Sequence, residues 1–94
     1  MNLKHRVLLL LYRYGSTKLP DMKMFFQDVK CEILKAELIS LYHEGLIAKN
    51  GLRGSFMYSL TDMGKRYIEN AYLKHRFHEL KLLDSMLFSD FNVR

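Results

Sequence analysis

A single proline and five glycines are all that interrupt regular backbone in this chain of 94 residues, and their positions constrain what it can fold into. Gly15, Pro20, Gly45, Gly51, Gly54 and Gly64 leave long intervals in which a helix is the least costly way to satisfy the backbone N–H and C=O groups. Beyond Gly64 neither residue type occurs again. A mainly α fold follows, with irregular backbone concentrated where Gly45, Gly51 and Gly54 cluster.

Apolar periodicity fills in the elements. Leu3, Val7, Leu10, Leu11 and Tyr14 share one helical face, and Gly15 closes that first helix at Tyr14. Thr17 to Leu19 suit a short strand, Pro20 suits a first helical position, and Asp21 suits the positive end of a second helix reaching Gln27. Met22, Phe25 and Phe26 form its buried face. A third helix spans Lys30 to Glu44, with Cys31, Leu34, Leu38, Leu41 and Tyr42 turned inward. Leu46 to Lys49 and Ser55 to Leu60 read as two strands of a hairpin whose tip is Asn50, Gly51, Leu52, Arg53 and Gly54. Thr61 caps a last helix, with Asp62 in its first turn.

The hydrophobic fraction of 49% is enough for one domain with a real core and excludes global disorder. Residues 1–61 read as the core unit and 62–94 as a C-terminal helix of the same domain. The apolar run Val7 to Leu11 is too short for a signal core and is closed by Tyr12 and Arg13. Nothing approaches the length of a membrane span. The one cysteine, Cys31, cannot form an internal disulfide and fits no zinc spacing, so the expected compartment is the reducing cytoplasm. On the inward face it serves as a small buried hydrophobe.

The net charge of +5 is unevenly placed. Residues 1–30 hold the excess, because Lys4, Arg6, Arg13, Lys18, Lys23 and Lys30 face only Asp21 and Asp28. A basic surface concentrates anions and favours phosphate contacts.

Helix, short strand, helix, helix, hairpin and final helix is the element order of a winged helix-turn-helix. The stretch Leu41-Tyr-His-Glu-Gly-Leu-Ile47, followed by Tyr58-Ser-Leu-Thr-Asp-Met-Gly64, resembles the end of the recognition helix, the wing and the next helix start of PadR-like and MarR-like transcriptional regulators. The resemblance covers about two thirds of the chain. It implies double-stranded DNA as partner, the third helix entering the major groove and the wing touching phosphates or the minor groove.

Carried onto these residues, the outward face of the third helix comprises Glu32, Ala36, Ile39, Ser40 and His43, flanked by Val29, Ile33 and Lys35. Lys30 and Lys35 reach phosphates or guanine edges, Ser40 hydrogen-bonds, and Ala36 or Ile33 meets a thymine methyl. Glu32 repels phosphate unless it accepts from a cytosine amino group or pairs with Lys35. The wing offers Lys49, Asn50, Arg53 and Ser55, in a stretch from Gly45 to Thr61 without an acidic residue. Arg53 at the tip is the leading phosphate contact, and Lys18 and Lys23 around the second helix are further positioning contacts.

Leu73, Phe77, Leu80, Asp84, Leu87 and Phe91 alternate at spacings of four and three, as in a coiled-coil seam, with Ile68, Tyr72, Leu83 and Met86 beside them. A homodimer joined through this long helix is expected, with Leu8, Leu9 and Tyr12, off the core face of the first helix, meeting the partner's last helix. The alternative is a break near Ser85 that folds the segment back. His75, His78 and Glu79 lie at helical spacings but read as surface residues, so no metal and no cofactor is expected. No phosphate-binding glycine loop, nucleophile and base pair or paired-carboxylate pocket is present, and an enzyme is not expected. A dimeric repressor is one functional reading; the other is a winged-helix protein-interaction module docking through Ile33, Ala36 and Ile39. No effector ligand is indicated.

Overall fold

The run Val7 to Leu11 places apolar side chains on every side of a helix, and a helix that is apolar all round must be buried all round. That is the position of α1 (Leu3–Tyr14) in the computed structural model, which describes residues 2–72. Arg6 through Leu11 are all buried, and α1 forms the centre of the molecule against the third helix, the fourth helix and the middle strand. The Asn2 side chain accepts from the His5 N–H at 2.9 Å, and Gly15, at φ +83°, ends the helix by donating its N–H to the Leu11 carbonyl. Leu8 and Leu9 are therefore core residues at 0% and 1% exposure, not a free face for a partner. This corrects the expectation drawn from one-sided periodicity: five successive apolar residues leave no outer face.

After β1 (Thr17–Lys18), α2 (Leu19–Phe25) opens on Leu19 with Pro20 second, and it ends two residues before Gln27. Met22 and Phe26 are fully buried, whereas Phe25 is half-buried. α3 (Cys31–His43) sends Leu34, Leu38 and Leu41 inward. Cys31 and Tyr42, both expected inside, are exposed. At about 100° per residue, Leu41 and Leu38 fall roughly 20° and 40° either side of Leu34, while Cys31 and Tyr42 fall roughly 60° and 80° to one edge. The inward stripe is simply narrower than the sequence suggested.

β2 (Ile47–Asn50) and β3 (Met57–Leu60) pair antiparallel, with Ile47 opposite Leu60 and Lys49 opposite Tyr58. β1 joins β3 on its other side, Thr17 opposite Tyr58, so a three-stranded sheet in the order β1-β3-β2 replaces a bare hairpin.

α4 (Asp62–Tyr72) begins at a junction made by three residues of the quoted motif. Thr61 Oγ1 accepts from the Gly64 N–H at 3.0 Å and donates to the Gly45 carbonyl at 2.7 Å. Gly45, at φ +80°, permits the turn from α3 into β2. Gly64 packs so closely that an added Cβ would run into the Leu46 carbonyl. α4 also rests on α1, since Ile68 is buried in the common core and the Tyr12 hydroxyl donates to Glu69 at 3.0 Å. Ile68, expected beside a dimer seam, thus belongs to the core of its own chain, and Tyr12 is half-buried with its hydroxyl engaged internally.

Candidate nucleic-acid interface

Both sides of α3 are set by the same periodicity. With Leu34, Leu38 and Leu41 inward, Glu32, Ile33, Lys35, Ala36, Ile39, Ser40 and His43 are all exposed, as the sequence implied. The start of this helix is held in place by a residue the sequence reading counted only as charge. Arg6, 5% exposed within α1, makes a two-point pair with Asp28 at 2.9 and 3.0 Å and lies 4.9 Å from the Phe26 ring centre. Asp28 sits in the turn just before α3, so this pair ties the turn to the central helix. The Arg6 hydrogen bonds hold the Asp28 carboxyl below its ordinary pKa of 3.8. At the other end of α3, Lys4 pairs with Glu44 at 3.0 Å.

Beside α3, the faces of β2 and β3 close an open groove of about 590 Å³ lined by Lys18, Lys35, Ile39, Lys49, Ser55, Phe56 and Tyr58 among others. Four of the residues singled out from sequence therefore meet there: Lys18 from β1, Lys35 from α3, Lys49 from β2 and Ser55 from the wing loop. Three cations around one concave surface form an anion-attracting site. Lys49 is the most constrained of them, its ammonium lying 4.9 Å from the Tyr42 ring centre and 4.7 Å from that of Phe56. Each exposed contact of this kind contributes about 0.5–1 kcal/mol. Burial raises the pKa of the Tyr58 hydroxyl above 10.0, so it stays a neutral donor beside the lysines.

The remaining candidates stand elsewhere. Asn50 ends β2, and Arg53 is exposed at the wing tip between Gly51 and Gly54, both at positive φ. Leu52 beside it is 82% exposed, an apolar side chain at the tip that the sequence reading passed over. Lys30 is exposed at the N-terminal boundary of α3 without a side-chain capping bond. Lys23 is not brought into the groove. It is half-buried and donates to the Phe26 carbonyl at 3.4 Å, at the end of its own helix. Ser40 is exposed but donates to Glu44 at 3.4 Å. Tyr42 and Phe56 were missed because aromatic residues near apolar runs read as core; the signal was Lys49 opposite Tyr58, on the strand face that Phe56 shares.

Leu73, Phe77, Leu80, Leu83, Leu87 and Phe91, with His75, His78, Glu79, Asp84 and Ser85, lie outside the described residues. Among the described residues no three potential ligands gather as a metal site, and no helix is long and apolar enough to cross a membrane.

No family model matches the chain, and no curated protein matches it in sequence. Solved structures do match in fold. PadR of Bacillus subtilis, solved in complex with operator DNA, has 26% identity and a TM-score of 0.67 over 94% of this chain and 59% of its own. BpsR of Bordetella bronchiseptica, whose DNA binding is regulated by 6-hydroxynicotinic acid, has 17% identity and a TM-score of 0.64 over 99% of this chain and 64% of its own. The YusO protein of Bacillus subtilis has 23% identity and a TM-score of 0.56 over 94% and 71%. This chain thus spans well under the full length of the first two. Element order, the Gly45–Thr61–Gly64 junction and these likenesses agree: the chain is a winged helix-turn-helix protein built like the PadR-like and MarR-like transcriptional regulators.

Proposed function

We propose that this chain is a cytoplasmic, sequence-specific double-stranded DNA-binding protein that acts as a dimeric transcriptional repressor, with α3 in the major groove and the wing on the backbone or minor groove. The observation that carries the proposal is the convergence of Lys18, Lys35 and Lys49 on one groove bordering the exposed face of α3. Cations from three elements suit the phosphate backbone, while Glu32, Ala36 and Ser40 on the helix suit base edges. The likeness to PadR, which was solved on operator DNA, supports the same partner. Residues 62–94 supply the dimer contact in this reading, through the apolar stripe that includes Leu73, Phe77, Leu80, Leu83, Leu87 and Phe91. Leu8 has no part in it, since it is fully buried.

Retardation of mixed genomic fragments at low salt, fading steeply as salt rises, is the expected result. Arg53→Ala and Lys35→Ala weaken all duplexes alike, whereas Ser40→Ala changes the preferred sequence. Equal losses on preferred and random DNA for all three variants would contradict that division.

A second reading rests on Ile33 and Ile39, 54% and 58% exposed on the same helix. An apolar outer face of α3 suits a protein partner docked as in an antirepressor or assembly factor. Absence of any retardation at low salt would select it.

A further inference from the structure

Lysine side chains on a strand ordinarily sample many rotamers, and an ammonium that must be ordered on binding gives up that freedom at the moment of contact. Lys49 differs from every other cation of the groove in this respect. It stands between two aromatic rings that come from different elements, Tyr42 near the end of α3 and Phe56 just ahead of β3. Tyr42 is 45% exposed, so it is not committed to the core, and its position at the edge of the inward stripe is what aims it at the wing. The neighbouring hollow of about 220 Å³ between α3 and the sheet is lined by Leu38, Ile39, Tyr42, His43, Lys49 and Tyr58. Lys49 thus lines both this hollow and the three-lysine groove.

Resting on the DNA-binding reading, we propose that Lys49 is a preordered contact for one backbone phosphate of duplex DNA, and that Tyr42 and Phe56 are its positioning residues. The rings hold the ammonium electrostatically while its three N–H donors remain able to meet a phosphate oxygen at the mouth of the groove. Because Tyr42 belongs to α3 and Phe56 to the wing, the same clamp fixes the angle between the two DNA-contacting elements. Lys18 and Lys35, which lack this pair of rings among the described contacts, add charge without the same preordering.

The test is a double-mutant cycle on equilibrium affinity for duplex DNA, measured across a salt series with the full chain. Lys49→Ala is expected to reduce the magnitude of the slope of log affinity against log salt by about 0.9, the value for one phosphate contact. Tyr42→Leu is expected to weaken binding about three- to fivefold in the wild-type background, leave the slope unchanged, and have no further effect in the Lys49→Ala background. Phe56→Leu behaves likewise, Phe56→Tyr and Tyr42→Phe restore affinity, and Lys49→Arg retains it. A merely structural role for the rings would give losses that add to that of Lys49→Ala, and that result overturns the clamp. An unchanged salt slope in Lys49→Ala also overturns it. Those failures are read in a protein that still binds duplex, whereas failure of the wild-type chain to bind duplex at low salt overturns the DNA-binding reading and the clamp together.

Discussion

Arg6 is where a single residue most changes the account of this molecule. A guanidinium surrounded by the apolar residues of α1 is tolerated because Asp28 takes two hydrogen bonds from it and Phe26 lies beneath it. The pH consequence has a definite sign. The Asp28 carboxyl is held below 3.8 when folded, so its stabilising contribution is full above the unfolded pKa and is lost as pH falls through the lowered folded value. His5 acts in the same direction over a higher window. Burial, with help from Lys4, lowers its pKa below 6.5, so the unfolded chain takes up the proton first and stability falls as pH drops below that value. Thermal melts are expected to show declining stability on acidification in both windows, and Asp28→Asn is expected to remove the lower one while costing about 1–2 kcal/mol at neutral pH, modest because Asp28 is partly exposed. An Asp28→Asn protein whose acid profile matches the wild type would contradict this. Gly64 is the second critical residue. Gly64→Ala drives a methyl group into the Leu46 carbonyl and is expected to cost about 1–3 kcal/mol, read from the midpoint of denaturant unfolding. Gly54→Ala, where open space surrounds the missing side chain, is strained only by its φ of +85° and is expected to cost less.

At the scale of elements, what was legible in the sequence depended on how local its cause is. α1 was bounded correctly at Leu3 and Tyr14 because Gly15 and the apolar spacing are local signals. The Thr61 cap and the Gly45 turn were legible for the same reason. The third strand partnership was not, because pairing of Thr17 with Tyr58 depends on contacts between distant parts of the chain. Nor was the central place of α1, since the spacing of Leu3, Val7, Leu10, Leu11 and Tyr14 marks one face whereas the unbroken run Val7 to Leu11 covers all of them. In the candidate interface, the exposed face of α3 followed directly from the wheel, and Lys18, Lys35, Lys49 and Ser55 were named individually. Their convergence and the Lys49 clamp arise only from tertiary packing, whereas Lys23 is held locally by the Phe26 carbonyl at the end of its own helix. The wing is accordingly where element and function meet. Loosening it by Phe56→Leu is expected to weaken DNA binding while unfolding remains cooperative, since Phe56 lies outside the β3 ladder.

For the whole molecule, the described residues form a winged-helix body whose fourth helix is anchored to the first by Ile68 and by the Tyr12 to Glu69 bond. In the dimeric reading, the chain continues from this anchored helix into the apolar stripe that joins two copies, so that two α3 helices address two half-sites related by symmetry. Leu80→Asp and Leu87→Asp are expected to give monomers with greatly reduced affinity for paired half-sites; sedimentation of the wild-type chain as a monomer at micromolar concentration would remove the dimer from the account. The central claim is narrower than the dimer: the groove between α3 and the wing is a phosphate-binding surface for duplex DNA. It is tested most directly by comparing the salt dependence of duplex affinity in the wild-type chain and in the triple variant Lys18→Ala, Lys35→Ala, Lys49→Ala. The wild type should show a steep decline of affinity with salt, and the triple variant a slope shallower by about 2.7, at 0.9 for each lost phosphate contact. A folded triple variant with wild-type affinity and an unchanged slope would contradict the claim.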